Sequence, residues 1–311
     1  MAGVSVVSTV RNEAKSITAF LAALASQTRL PDELVIVDGG STDTTVSRIR
    51  RVAKQLPFPV HVEVHEGANI ARGRNLAIQR AQHRRIAVTD AGTRPEPRWL
   101  EELTRPFRGN TPPDVVAGWY TADRSTPYRE AVGLALTLPA RYFSAVTVSP
   151  SSRSLAFTKD AWRRAGGYPE QLTRWGEDTQ FNRQLRASGA RFAFAPSAKV
   201  EWSPPTSLRA VFRQNLQYGY ADAEAGTFPG HFRLMLVLLG LLGAGIWAAS
   251  TGVALAGWLT LLGVAAYAEL PYALHRRWPT VLGALAMPAI RLAIFAGQWA
   301  GYLYRLAGGR L

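Results

Sequence analysis

Three short stretches carry carboxylates where chemistry could be done. Val35-Ile36-Val37-Asp38 ends an apolar run on an aspartate. Thr89-Asp90-Ala91-Gly92 does the same at the end of a second run. Trp175-Gly176-Glu177-Asp178 sets a carboxylate pair after a glycine. In an α/β sheet, ligands are met at the carboxyl ends of the strands. Acidic groups there, in a chain of 311 residues with a formal charge of +14, fit a pocket for a metal-associated phosphate compound together with a proton acceptor. The excess charge is nearly all arginine, since the only lysines are Lys15, Lys54, Lys159 and Lys199. Arginine offers paired donors to phosphate and diphosphate groups, and a basic surface also suits anionic lipid headgroups. The basic residues are scattered and form no nucleic-acid motif, so no nucleic-acid partner is expected.

The elements that must position these groups are read from periodicity. Val4 to Val10 is apolar and β-branched and reads as a buried first strand rather than a signal peptide. Ile17, Phe20, Leu21 and Leu24 have helical spacing within Ala14 to Ser26. Strands are expected at Leu34 to Val37, Val60 to Val64 and Arg85 to Thr89. Helices are expected at Asp43 to Ala53, Ala71 to Ala81 and Trp99 to Phe107. This alternation predicts a mixed, mainly parallel sheet with helices on both faces. Further on, the pattern predicts a strand over Val115 to Trp119 and a helix over Glu130 to Ser144. It then predicts a helix over Asp178 to Ala187, a short strand over Phe192 to Phe194 and an amphipathic segment over Leu208 to Tyr218. Cysteine is absent, which excludes disulfides and thiolate metal sites.

Composition changes near Phe232. Leu234 to Ala249 and Val253 to Tyr267 carry no charge and read as two membrane spans. Arg209, Arg213 and Arg233 precede the first, and His275-Arg276-Arg277 follow the second, so both ends are expected on the cytoplasmic side. A third apolar stretch, Val281 to Tyr304, contains Pro288, Arg291 and Gln298 and reads as spanning or, by slight preference, interfacial. The expected organisation is a catalytic domain over 1–225 and a membrane-anchoring helical region over 226–311, held at the inner (plasma) membrane with the catalytic domain cytoplasmic.

The ordered set of motifs resembles family 2 glycosyltransferases of the GT-A fold, a Rossmann-like nucleotide-sugar-binding architecture. The segment Val6-Val7-Ser8-Thr9-Val10-Arg11-Asn12-Glu13 is similar to that family's opening strand. Val37-Asp38-Gly39-Gly40-Ser41-Thr42-Asp43 resembles its second motif, and Gly73-Arg74-Asn75 its arginine–asparagine helix start. Thr89-Asp90-Ala91-Gly92 stands at its metal motif, and Gly166-Gly167-Tyr168-Pro169 with Gly176-Glu177-Asp178 at its acceptor side. The resemblance implies donor-binding roles for Thr9, Arg11, Glu13, Asp38, Arg74 and Asp90, with Asp38 accepting from the nucleobase. It implies acceptor-side roles for Trp175 and Glu177, and a general-base role for Asp178. From the residues alone, Glu13 fits helix capping equally well, Asp38 turn stabilisation, and Arg74 a solvated helix position.

The resemblance also implies a divalent cation, Mg2+ or Mn2+, on Asp90. The chain departs from the family at two places that bear on it: Gly92 stands where a second aspartate is usual, and Trp202 where a histidine is frequent. Arg213-Gln214-Asn215-Leu216-Gln217-Tyr218 keeps the glutamines but lacks the Arg-Trp pair of processive synthases. The expected activity is therefore transfer of a single sugar, with inversion, from a nucleotide sugar (a UDP-sugar first) to a lipid-linked or glycan acceptor. A catalytically weak nucleotide-sugar-binding scaffold and a processive polysaccharide synthase are the alternatives. A nucleotidyltransferase would need a glycine-rich triphosphate loop that the chain lacks.

Overall fold

Strands that are apolar on both sides need cover on both faces, and the computed structural model supplies it. It describes residues 3–172, 175–226, 230–251, 257, 259–260, 262–263, 266–267 and 269–311. The N-terminal strands are β1 (Val4–Val10), β2 (Glu33–Asp38), β3 (Val60–Val64) and β4 (Arg85–Val88). They are followed by β5 (Thr93–Pro95), β6 (Val115–Ala122), β7 (Leu155–Thr158) and β8 (Phe192–Trp202). One sheet runs in the order β3-β2-β1-β4-β7-β6-β8-β5. Pairings among β3, β2, β1 and β4 are parallel, whereas β7 joins β4 and β6 antiparallel and β5 joins β8 antiparallel.

Alternation along the strands splits the core in two. Val4 and Val6 of β1, with Leu34 and Ile36 of β2, pack on one face. There they meet Phe20, Leu21 and Leu24 of α1 (Ile17–Ala25), Ile49 of α2 (Thr45–Ala53) and Trp99 and Leu103 of α4 (Trp99–Thr104). Val7, Val35 and Val37 face the other way. They meet Ala77 and Ile78 of α3 (Ile70–Arg80), Ala161 of α6 (Lys159–Arg164) and Phe181 and Leu185 of α7 (Glu177–Ala187).

Several expectations change in extent, two of them most. The helix expected over Glu130 to Ser144 is α5 (Pro127–Leu136), and a separate 3-10 turn follows at Ala140–Tyr142, because Pro139 cannot continue a helix. The short strand expected over Phe192 to Phe194 runs on to Trp202, and its Val200–Trp202 end pairs with β5.

The chain divides into two compact units. One comprises residues 1–121 and 140–203, and the other residues 122–139 and 204–311. The boundary expected at residue 225 falls inside the second. That unit holds α5, α8 (Leu208–Glu224), α9 (Gly230–Ser250), α10 (Leu270–Leu274) and α11 (Val281–Leu306). Its core joins Ala131, Val132 and Leu134 of α5 to Val211, Tyr272, Met287, Ile290 and Ile294. Helices α8 and α11 touch backbone to backbone: a methyl group at Gly219 would sit 1.9 Å from the Gln298 carbonyl oxygen, and one at Gly301 would sit 1.8 Å from that of Leu216. Glycine alone permits that approach. The third apolar stretch, with Pro288 inside it, is one continuous helix of 26 residues, and among the described residues it is the helix long and apolar enough to cross a membrane. The first expected span coincides with α9; half of the second, 253–270, lies outside the described residues.

Candidate active site

Parallel strands deliver their carboxyl ends to one edge of the sheet. Thr9 pairs with Val37 and Val10 with Asp38, so the loops after β1 and β2 emerge side by side. Those loops are stitched together. Asn12, in a left-handed conformation at φ 58°, accepts from Thr42 N at 2.9 Å, and its own N–H donates to Ser41 Oγ at 2.8 Å. Glu13 N donates to Thr45 Oγ1 at 2.8 Å. Asp38 is fully buried, and its carboxylate accepts from Gly40 N at 2.9 Å, Ser41 N at 2.7 Å and Ser41 Oγ at 2.5 Å. The Glu13 carboxylate accepts from Ser16 Oγ at the start of α1. Arg11 is exposed beside them. Thr9 lies against Gly73 of α3, where a methyl group would come within 2.8 Å of Thr9 Cγ2. That contact presses α3 onto the end of β1.

The next residue of α3 organises the second half of the site. Arg74 is 1% exposed. Its Nη2 donates to Asp90 Oδ1 at 2.7 Å; its Nη1 donates to Glu177 Oε1 at 2.6 Å and Asp178 Oδ1 at 3.0 Å. The guanidinium also lies 5.3 Å from the Tyr168 ring centroid. Asp90 comes from the end of β4, and the carboxylate pair opens α7 behind Gly176, whose φ of 85° suits glycine. Trp175 stands directly before it, partly buried. Asn75 fixes α3 to the glycine-rich loop: it accepts from Tyr168 N at 2.8 Å and donates to Tyr168 O at 2.9 Å.

Sequence reasoning left out the residues that hold Asp178 from the other side. Ser151 Oγ and Ser152 N donate to Asp178 Oδ2 at 3.3 and 3.1 Å, and Ser152 Oγ bonds the Tyr168 hydroxyl at 2.8 Å. The Ser149-Pro150-Ser151-Ser152 turn was the available signal, but nothing in it points to residue 178.

The pair divides its charge. Burial first, and then the neighbouring Asp178, push the Glu177 carboxyl up to about 7, against the pull of Arg74. Burial works on Asp178 in the same direction, but Arg74, the Ser152 bonds and Arg153 overcome it and hold that carboxyl below its ordinary value. The arrangement can therefore keep one carboxylate ionised and 28% exposed beside a second that is largely covered. That is an acid–base constellation.

The divalent cation implied by the family resemblance finds one carboxylate at the metal motif, Asp90, already paired with Arg74. Among the described residues no group of three or more His, Cys, Asp or Glu is placed to hold a metal ion. Position 92 is open, with nothing within 4 Å of where a Cβ would stand, so the second carboxylate is missing for no steric reason. The side chains present do not make up a protein-held metal site.

Residues 5–160 match the profile of glycosyl transferase family 2, and residues 86–295 that of glycosyl transferase family group 2. A succinoglycan biosynthesis protein, ExoA, of Rhizobium meliloti is 28% identical over 93% of this chain and 91% of its own length. Validoxylamine A glucosyltransferase of Streptomyces hygroscopicus is 27% identical over 54% of this chain, which spans only 44% of that relative. In fold, the chain is similar to the mannosyltransferase PcManGT of Pyrobaculum calidifontis, solved with GDP-Man and Mn2+. That likeness has a TM-score of 0.59 at 21% identity and covers 99% of this chain and 88% of the other.

Proposed function

The chain belongs to glycosyltransferase family 2, and from that premise we propose that it moves a single sugar, with inversion, from a nucleotide-sugar donor to a lipid-linked or glycan acceptor at the cytoplasmic face of a membrane. The observation that carries this reading is Asp178: ionised, reachable, and fixed by Arg74 on one side and Ser151 and Ser152 on the other. The acceptor hydroxyl gives its proton to Asp178 as its oxygen attacks the anomeric carbon. The bond from that carbon to the diphosphate oxygen breaks, and the electron pair leaves on the diphosphate. Attack from the side opposite the leaving group inverts the centre. Glu177 matches a neutral-pH base better in pKa, but its side chain is 10% exposed against 28% for Asp178, and access comes before pKa. The two titrate as a pair.

The β1 and β2 loops, with Thr9, Arg11 and Asp38, form the donor-nucleotide side of this reading, and Trp175 and Glu177 the acceptor side. A membrane-proximal acceptor suits the second unit. Helix α11 leaves Val281 77%, Leu282 69% and Leu285 74% exposed, and Trp278 just before it is 96% exposed. Arg277 of the preceding basic cluster pairs with Glu130 at 3.0 Å, so Arg276 supplies more of the outward charge.

The test is a screen of UDP- and GDP-sugars by thermal shift on the full chain in detergent, with manganese or with chelator. The best donor then goes into a transfer assay that sizes the product. Stabilisation by one sugar class and a product longer by one residue are expected. A polymeric product would replace single transfer with processive synthesis. No stabilisation by any donor would overturn the donor reading.

A further inference from the structure

The chain keeps the carboxylates of a sugar-transferring site but not the side chains that would hold a metal at the departing diphosphate. A leaving diphosphate still needs its growing charge met. A candidate cation comes from a loop to which neither the motifs nor the family resemblance assigned a role. Arg153 directly follows Ser151 and Ser152, the two residues that grip Asp178 Oδ2. Its guanidinium lies 5.2 Å from the Tyr120 ring centroid on β6 and 5.1 Å from that of Trp202 on β8. Trp202 is the Cα partner of Thr93 in the β5–β8 pairing, so the aromatic support of Arg153 adjoins the turn that carries Asp90 and Gly92.

We propose that Arg153 is a catalytic residue that binds the donor's diphosphate and neutralises it as it leaves, in the role a metal ion would otherwise fill. The inference rests on the nucleotide-sugar reading above. It accounts for Trp202 at a position where an imidazole would serve a metal: an indole cannot ligate one, but its ring attracts a guanidinium. Both aromatic contacts act on the charge of the cation. The in-plane N–H groups are the ones that form paired bonds to phosphate oxygens. The charge of Arg153 also reaches Asp178 and helps keep it ionised. In the transfer step Arg153 gains no proton and forms no covalent bond. It stabilises the oxygen that takes the electron pair, while Asp178 takes the proton.

The test uses the full chain in detergent. Calorimetric titration with UDP, GDP, uridine and guanosine is run on wild type, Arg153→Met and Arg153→Lys, in chelator and again with manganese. Melting temperatures show that each variant is folded. In chelator, wild type is expected to bind one diphosphate nucleotide, Arg153→Met to bind it on the order of 10-fold to 100-fold more weakly, and Arg153→Lys to recover part of the loss. The matching nucleoside should bind all three alike. Equal binding of the diphosphate by wild type and Arg153→Met in chelator would overturn the inference. So would wild-type binding that appears only with manganese, and in both cases the donor reading would stand. If wild type binds neither diphosphate in either condition, the donor reading fails and this inference goes with it.

Discussion

The two halves of the site use carboxylates in opposite ways. In the β1–β2 half, Asp38 and Glu13 accept bonds from residues three positions along the chain, Ser41 and Ser16. In the α3–α7 half, Asp90, Glu177 and Asp178 come from two distant elements and converge on a single buried guanidinium. The first set shapes loops. The second holds charges that would repel one another apart from Arg74. Replacing a carboxylate that serves its own turn changes the shape and stability of the loop it holds, whereas replacing one in the cluster changes charge, protonation and chemistry together.

Four substitutions test that contrast. Asp178→Asn should lower kcat by a factor on the order of 100 to 10,000 with the donor dissociation constant nearly unchanged; single-turnover transfer and donor titration measure the two, and near wild-type turnover would remove Asp178 from the chemistry. Arg74→Met strands three carboxylates and should cost roughly 3 to 5 kcal/mol of folding stability in urea unfolding. A loss under 1 kcal/mol, the scale of a surface pair, would mean that the cluster is not held as a unit.

Glu177→Gln tests protonation. The folded carboxyl sits near 7 and the unfolded one near its ordinary value, so the unfolded chain releases its proton first. Wild type should therefore lose stability relative to the variant as pH rises from about 4.5 through 7, by on the order of 2 to 3 kcal/mol in all. Asp178 has the opposite sign: its contribution disappears only as pH falls through its lowered value. A wild-type-minus-variant difference that stays flat between pH 5 and 8 would show Glu177 to be ionised throughout. The smallest effect is expected at Asp38→Ala, about 1 to 3 kcal/mol of folding stability from two N–H groups left without their acceptor. A loss as large as that of Arg74→Met in urea unfolding would tie Asp38 to the charged cluster and erase the contrast.

The same division decides what the sequence discloses. β1, β2 and β4 are legible because strands covered on both faces read as largely apolar, β-branched runs. β8 is not, since Pro196, Ser197 and Lys199 interrupt its pattern and its end is fixed by pairing with β5, far away in the chain. Asp38 and its turn are a local motif. The union of Arg74 with residues 103 and 104 positions later is not, because no spacing encodes which loop a buried arginine will meet. Ser152 and Arg153 lay hidden for that reason. The shift in composition near Phe232 marks where the long uncharged stretches begin, whereas the second unit resumes at residue 204 and recruits 122–139, since Ala131, Val132 and Leu134 share a core with Ile290 and Ile294.

That recruitment sets a timetable for synthesis. Helix α5 leaves the ribosome well before its partners: Met287, Ile290 and Ile294 follow about 150 residues later, which at about 5 to 20 residues per second is roughly 8 to 30 s. Throughout that interval the apolar face of α5 has been made and the α11 side of its core has not. A chain cut before Pro204, the natural choice for a water-soluble catalytic fragment, makes the interval permanent. Such a fragment would carry α5 without its partners, and its aggregation would report the missing helices rather than a defect in the sheet.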